Sequence, residues 1–280
     1  MSAEVKKRRP RKRKWKRWKE GEFHRGTYIV PNLFTTANLF AGFFGIVSAI
    51  NGRYEVAAVA VLISCVFDIL DGKVARLTGA TSRFGVEYDS LADLVSFGVG
   101  PGLLMYLWAL KPFGRLGWLA AFVFVACGAL RLARFNVQVE VVNKKYFVGL
   151  PIPGAAGMVS TSVLFLNDWL VPGSAASTAP LLVATYLLGF LMVSTVPFHS
   201  FKDLEITKTK PIAVIFVSIV IVTIIAIHPE LMLFLMISAY VLSGPVLFIV
   251  HKIKSPQPNP SPEVPVESRP DVGEREERAP

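Results

Sequence analysis

Asp68-Ile69-Leu70-Asp71-Gly72-Lys73-Val74-Ala75-Arg76, followed shortly by Gly85-Val86-Glu87-Tyr88-Asp89-Ser90-Leu91-Ala92-Asp93, puts four aspartates where aspartate is costly. Residues 54–67 before them and 94–109 after them are almost wholly apolar. Asp68 and Asp71 therefore close one apolar block, and Asp89 and Asp93 open the next. Ionisable residues inside membrane-spanning segments are rare and usually functional. On a helix, positions 68, 71, 72 and 75 share one face, which reads Asp, Asp, Gly, Ala. Gly85, Asp89 and Asp93 stand four apart and share a face of the next helix. A short turn, Thr78 to Arg83, joins the two and predicts antiparallel neighbours with their carboxylates at the same end.

The rest of the chain reads as a membrane protein around this pair. Of 280 residues, 52% are hydrophobic and 18% charged, and the mean hydropathy is +0.49. A soluble domain carries charge on about a quarter of its residues. Eight apolar blocks fall at 32–51, 54–77, 84–109, 115–137, 152–171, 179–198, 211–228 and 230–250, separated by Gly, Pro or charge. Each is long enough to span a bilayer. The expected fold is all-α and integral to the membrane, with about eight transmembrane helices. The domain reading is a basic tail over 1–27, a transmembrane catalytic region over 28–254 and a Pro/Glu-rich tail over 255–280 too poor in apolar residues to fold.

The net charge of +10 suggests nucleic acid at first sight, but its placement argues against that partner. Twelve of the thirty Lys and Arg residues precede Pro31, and the others sit mostly at the ends of apolar blocks. With the N-terminus in the cytoplasm, the inner loops hold Lys73, Arg76, Arg83, Arg131, Arg134, Lys144, Lys145, Lys202, Lys208 and Lys210, against Arg53, Lys111 and Arg115 outside. That asymmetry puts both termini and the aspartates on the cytoplasmic side of the cell membrane. The basic tail also interleaves Trp15 and Trp18, which suits a headgroup surface as well as a topology signal. Cys65 and Cys127 lie in apolar blocks as small hydrophobes, and the four isolated histidines, His24, His199, His228 and His251, show no ligand spacing.

Four carboxylates facing one another repel unless a cation neutralises them, and hard oxygen ligands suit Mg²⁺ or Mn²⁺. Such a set can hold two ions about 3.5–4 Å apart, an arrangement used in phosphoryl chemistry. Helix capping and ion pairing with Arg76 and Arg83 is the structural alternative, and a divalent-cation transporter is a functional one.

The pattern D-x2-D-G-x2-A-R-x8-G-x3-D-x3-D, met by Asp68, Asp71, Gly72, Ala75, Arg76, Gly85, Asp89 and Asp93, resembles the signature of the CDP-alcohol phosphatidyltransferases. By average residue usage, a chance match at one starting position is on the order of 10⁻¹⁰. Pro31-Asn32-Leu33-Phe34-Thr35 with Asn38, Asp89-Ser90-Leu91-Ala92-Asp93 running into Ser96-Phe97-Gly98, Arg131-Leu132-Ala133-Arg134-Phe135-Asn136 and Gly149-Leu150-Pro151-Ile152-Pro153 look like the phosphatidylserine synthase branch of that family.

The resemblance covers about residues 28–210 and implies a CDP-alcohol phosphatidyltransferase fold. It further implies transfer of a phosphatidyl group from CDP-diacylglycerol to L-serine, with release of CMP. Asp68, Asp71, Asp89 and Asp93 would then be metal ligands, with Asp93 also the general base. Asn32, Thr35, Gly72, Arg76 and Ser82 would bind the CDP-lipid, with helix capping the alternative for Asn32 and Thr35. Serine needs a cationic partner for its carboxylate, and Arg131, Arg134 and Asn136 are the candidates, with lipid phosphate the alternative partner of the arginines. Sibling acceptors, glycerol 3-phosphate or inositol phosphate, and an archaeal-type lipid donor remain open. The expected partners are CDP-diacylglycerol, L-serine, membrane lipids and a second copy of the chain, with no nucleic acid.

Overall fold

The computed structural model describes residues 29–78, 82–138, 146–168, 175–199, 223 and 227–254. Both tails and nearly all of the expected span at 211–228 lie outside the described residues.

Helix α1 (Ile29–Ile50) turns at Asn51-Gly52-Arg53 into α2 (Tyr54–Thr78). Gly52 takes a φ of +75°, which glycine adopts without a Cβ penalty, and the Gly52 amide donates to the Ala49 carbonyl at 3.1 Å. Helix α3 (Arg83–Asp93) starts at Ser82, whose hydroxyl accepts from the Gly85 amide at 2.9 Å. It continues through a π-helical turn (Leu94–Val99), α4 (Gly100–Met105), a second π turn (Tyr106–Leu110) and a 3-10 turn (Lys111–Phe113). In the first π turn the Gly100 amide reaches back five residues to Val95. Pro101, next in sequence, has no N–H to bond the Phe97 carbonyl, so the regular ladder is interrupted there.

Helices α5 (Arg115–Gln138), α6 (Ile152–Leu166), α7 (Ala175–Val193) and α8 (Pro229–Lys254) complete the described bundle. Helices thus stand at seven of the eight expected positions. Five stretches are long and apolar enough to cross a membrane: Asn32–Ile50, Phe84–Phe113, Arg115–Val137, Ala175–Val193 and Pro229–Phe248. Helix α2 is as long as these but carries Glu55, Asp68, Asp71, Lys73 and Arg76, and α6 is shorter. The count of eight spans is therefore not established.

One feature was not expected from the apolar pattern. Tyr146–Val148 (β1) pairs antiparallel with Pro197–His199 (β2), with Phe147 opposite Phe198. The ribbon joins the segment before α6 to the segment after α7. Gly149 follows β1 with a φ of +84°, and its amide donates to the Val196 carbonyl at 2.9 Å. A Cβ there would lie 3.0 Å from the Ser194 carbonyl oxygen, so the turn needs glycine for both its conformation and its close approach.

The bundle is organised by α1, which packs along α2 and touches α3, the first π turn and α4. Helix α5 packs on α7, and α6 packs on α2 and α8. At the end remote from the aspartates, the Trp108 indole donates to Asn167 Oδ1 at 3.1 Å, and Asn167 Nδ2 donates to Glu55 at 2.7 Å. This links the second π turn, the end of α6 and the start of α2. Large apolar side chains such as Phe40, Phe43, Phe122 and Phe190 point outward, as lipid contact requires of a membrane bundle.

Small residues let the helices approach. A Cβ added to Gly42 of α1 would lie 2.6 Å from Ser96 Cα in the first π turn. Gly42→Ala should therefore destabilise the protein by about 1–3 kcal/mol through overpacking, read as a lowered Tm in detergent. Gly72→Ala, where an added Cβ meets nothing within 4 Å, should leave the Tm unchanged or slightly raised.

Candidate active site

The four signature aspartates converge on one end of the bundle. Carboxylate oxygens of Asp68, Asp71 and Asp89 all lie within 4.8 Å of one another. Three ionised carboxylates at that spacing repel by roughly 3 kcal/mol per pair at an effective dielectric near 20. Asp89 Oδ1 is buried with no hydrogen-bond partner among the described residues. A buried acceptor left unpaired is expensive. A hard cation answers both features, because it takes several carboxylate oxygens at once. The donor set therefore fits a divalent ion, and among the described residues no hydrogen-bond donor takes its place at Asp89 Oδ1.

None of the four aspartates caps a helix. Asp68 and Asp71 lie within α2, Asp89 lies within α3, Asp93 is the last residue of α3 before the π turn, and Ser82 is the α3 cap. The capping alternative is thereby corrected. It fails for Asn32 and Thr35 as well, because α1 begins at Ile29 and both residues sit inside the helix.

Helix α1 supplies the polar partners of the aspartates. Thr35 Oγ1 donates to Asp71 Oδ2 at 3.1 Å, and both residues are buried. One turn further, Asn38 Nδ2 donates to Asp93 Oδ1 at 3.0 Å. Asn38 is fully buried and ties three elements together. Its carbonyl accepts from Ser64 of α2 at 3.0 Å and from Ser96 of the π turn at 3.1 Å, and its side-chain oxygen also pairs with Ser64. Asp93 lies outside the triplet of Asp68, Asp71 and Asp89 but within electrostatic range of all three. One carboxylate oxygen is thus anchored on Asn38, at the point where the helix widens.

The nucleotide-side candidates divide. Asn32 and Ser82 meet beside Gly85, where an added Cβ would lie 3.5 Å from Asn32 Oδ1 and 3.1 Å from Ser82 Oγ. Ser82 has a structural duty as the α3 cap. Gly72 faces open space, as approach of a ligand to the backbone requires. The Arg76 side chain lies outside the described residues.

The acceptor-side candidates also differ from one another. Asn136 exchanges hydrogen bonds with Ser90, its Nδ2 donating at 3.0 Å, and so fastens α5 to α3. Arg134 Nη1 donates to the Val193 carbonyl at 3.0 Å, holding α5 to the end of α7. Arg131 is 9% exposed, and its Nε has no hydrogen-bond partner among the described residues. A buried guanidinium nitrogen without a partner is costly. Arg131 is therefore the member of the three best placed to receive an anion.

Sequence reasoning singled out Thr35 and the aspartates, but gave Asn38 and Ser64 no role at the site. A buried Asn at 38, one turn from Thr35 on a helix otherwise apolar around it, was the available signal.

A helical membrane bundle that gathers carboxylates at one end and leaves open backbone beside them fits a membrane enzyme of phosphoryl-group chemistry. The sequence comparisons agree and narrow the class. Residues 28–197 match the CDP-alcohol phosphatidyltransferase family. The chain is 41% identical over 197 residues, 70% of its length and 82% of the relative's, to a CDP-diacylglycerol–serine O-phosphatidyltransferase of Helicobacter pylori. It is 28% identical over 232 residues to a protein of the same name from Mycobacterium leprae, covering 80% of this chain and 75% of that one. It is 37% identical over 171 residues to an archaetidylserine synthase of Methanothermobacter thermautotrophicus, covering 60% and 69%. The chain belongs to the CDP-alcohol phosphatidyltransferase family, and the divalent-cation transporter reading is set aside.

Asn38→Ala removes the donor to Asp93 and a partner of Ser64. Leaving buried polar groups unpaired costs about 1–3 kcal/mol, so the Tm in detergent should fall. Phosphatidyl transfer should fall at least tenfold even at temperatures where the variant is fully folded, because Asp93 loses its anchor.

Proposed function

We propose that the protein transfers a phosphatidyl group from CDP-diacylglycerol to L-serine, forming phosphatidylserine and CMP. The observation that carries this is Arg131: a buried guanidinium whose Nε has no hydrogen-bond partner among the described residues, on the helix whose Asn136 bonds to Ser90 in the aspartate helix α3. Relatives named for serine transfer support it, the Helicobacter pylori protein at 41% identity among them.

In this reading Asp68, Asp71, Asp89 and Asp93 hold two divalent ions, Mg²⁺ or Mn²⁺. Bound there, the ions would neutralise the pyrophosphate of the CDP-lipid and the charge that builds on the leaving CMP. Thr35 holds the Asp71 carboxylate, and Asn38 holds that of Asp93, so the residues of α1 orient the ligands. Asp93 is the general base. A serine hydroxyl is a poor nucleophile until its proton is taken, and the Asp93 oxygen not bonded to Asn38 is available to take it. The hydroxyl oxygen then forms a bond to the lipid-side phosphorus as the bond from that phosphorus to the CMP oxygen breaks. Asn32, Thr35, Gly72, Arg76 and Ser82 line the CDP-lipid side, with Gly72 giving backbone access. Arg131 takes the serine carboxylate, with Arg134 and Asn136 shaping the rim.

The site opens to the cytoplasmic side of the cell membrane, where serine is found. The support is the bias of Lys and Arg toward the loops at the aspartate end. A homodimer has no support from the chain described or from its relatives. The match to an archaetidylserine synthase favours one second reading of the donor: the same serine chemistry on an archaeal-type lipid.

A test offers purified protein CDP-diacylglycerol with L-serine, glycerol 3-phosphate, inositol or inositol phosphate, and identifies the lipid formed. Phosphatidylserine and CMP should appear with serine alone. Another lipid product in place of phosphatidylserine refutes the serine assignment. After metal stripping, excess EDTA should abolish turnover, and Mg²⁺ or Mn²⁺ should restore it. Full turnover in EDTA would refute the metal assignment.

Asp93→Asn should reduce turnover by at least 100-fold, within the range of a positioned general base, while CDP-diacylglycerol still binds. Near-normal turnover would remove Asp93 as the base.

A further inference from the structure

Asn38 anchors Asp93 only if its amide presents nitrogen, and not oxygen, to the carboxylate. The two ends of an asparagine amide are alike in size and opposite in hydrogen-bond character, so the groups that meet each end set its orientation. Asn38 Nδ2 donates to Asp93 Oδ1 at 3.0 Å. Turned over, the same side chain would set an acceptor against an acceptor, and the anchor would be lost.

Ser64 meets the other end. It lies on α2 one turn before Asp68 and is fully buried. Its hydroxyl is within hydrogen-bond reach of two Asn38 acceptors, the backbone carbonyl at 3.0 Å and the side-chain Oδ1. A hydroxyl has one proton to donate, so Ser64 serves one of these acceptors at a time. Ser96 decides which. Its hydroxyl, also fully buried, donates to the Asn38 carbonyl at 3.1 Å. The Ser64 proton is left for Oδ1.

Glycines bring both serines to Asn38. An added Cβ on Gly42 of α1 would lie 2.6 Å from Ser96 Cα, so the π turn reaches the Asn38 carbonyl only because Gly42 has no side chain. On the α2 side, an added Cβ on Gly45 would lie 3.3 Å from the Ala57 carbonyl oxygen and 3.4 Å from Ala60 Cβ. The same close packing of α1 on α2 carries Ser64 to Asn38.

We propose that Ser64 and Ser96 are positioning residues that lock the Asn38 amide in the one orientation that donates to Asp93. This rests on the reading of Asp93 as the general base. The donors run in one direction: Ser96 to the Asn38 carbonyl, Ser64 to Oδ1, and Nδ2 to Asp93. A donor on Oδ1 also polarises the amide and strengthens Nδ2 as a donor. Without Ser64, nothing in this chain of bonds tells the two ends of the amide apart. Without Ser96, the Ser64 proton is divided between Oδ1 and the carbonyl, and the lock is weaker.

The test uses full-length protein in detergent micelles with saturating Mg²⁺ or Mn²⁺, at a temperature where each variant is folded by its Tm. It compares wild type with Ser64→Ala, Ser64→Thr, Ser96→Ala, Asn38→Ala, Asp93→Asn and the Ser64→Ala/Asn38→Ala double variant. In Ser64→Ala, kcat should fall about 2- to 12-fold, the range for one hydrogen bond, with the KM values for CDP-diacylglycerol and L-serine within twofold of wild type. Ser96→Ala should lower kcat by a smaller factor. Ser64→Thr keeps the hydroxyl, so its kcat should stay within twofold of wild type although the added methyl lowers the Tm. In the Asn38→Ala background, Ser64→Ala should leave kcat unchanged, because no amide remains to be oriented. An unchanged kcat in Ser64→Ala, with Asp93→Asn inactive, overturns the inference and leaves the base reading intact. An equal fall in Ser64→Thr and Ser64→Ala, or the same factor in the Asn38→Ala background, overturns it by showing that Ser64 acts through packing. Near-normal turnover in Asp93→Asn overturns the base reading and the inference with it.

Discussion

Carboxylates brought together inside an apolar bundle repel one another, and most of the described architecture follows from holding them there. Asp68, Asp71 and Asp89 come within 4.8 Å of one another, and Asp93 stands beside them. Asp71 and Asp93 are buried and Asp68 and Asp89 half-buried, and away from water each polar group needs a partner from the protein or a ligand. Helix α1 meets part of that need. Thr35 holds Asp71 and Asn38 holds Asp93, while Ser64 and Ser96 bond the Asn38 carbonyl and tie α2 and the π turn to the same point. Among the described residues Asp89 Oδ1 is left without a hydrogen-bond partner, in a cluster that could bind a metal ion.

That constraint explains the placement of the small residues. Gly42 allows α1 to touch the π turn at Ser96, which brings Asn38 within reach of Asp93. Gly85 lets Asn32 and Ser82 meet beside the start of α3, and Gly72 keeps the other flank open. The same residues that let helices pack in lipid also give a ligand access to the backbone. Stability and access are served by one pattern, with the polar bonds deciding which faces meet.

The two sides of the site are held in different ways. The aspartate side rests on hydrogen bonds between helices adjacent in sequence, α1 to α3. The side proposed for the acceptor depends on distant segments: Gly149 and Leu150 bond the carbonyls of Val196 and Leu191, Arg134 bonds the Val193 carbonyl, and Phe198 fits against α8. Long-range contacts of this kind can be altered without disturbing the carboxylates.

Much of this was legible in the sequence. Helical periodicity alone put Asp68 with Asp71 and Asp89 with Asp93 on common faces, and apolar block length predicted helices where seven of them stand. Both signals are local, arising from helix geometry and bilayer thickness, and need no partner to be read. The signature spacing carried the family for the same reason. What only the tertiary structure decided are the pairings across the chain. The Asn38 hub needs the crossing angle of α1, and the β1–β2 ribbon joins three-residue strands about fifty positions apart. The separate fates of Arg131, Arg134 and Asn136, alike in sequence as polar residues at a helix end, depend on what α3 and α7 bring against them. A periodic pattern states which residues share a face, whereas which group meets that face is a property of packing between segments remote in the chain.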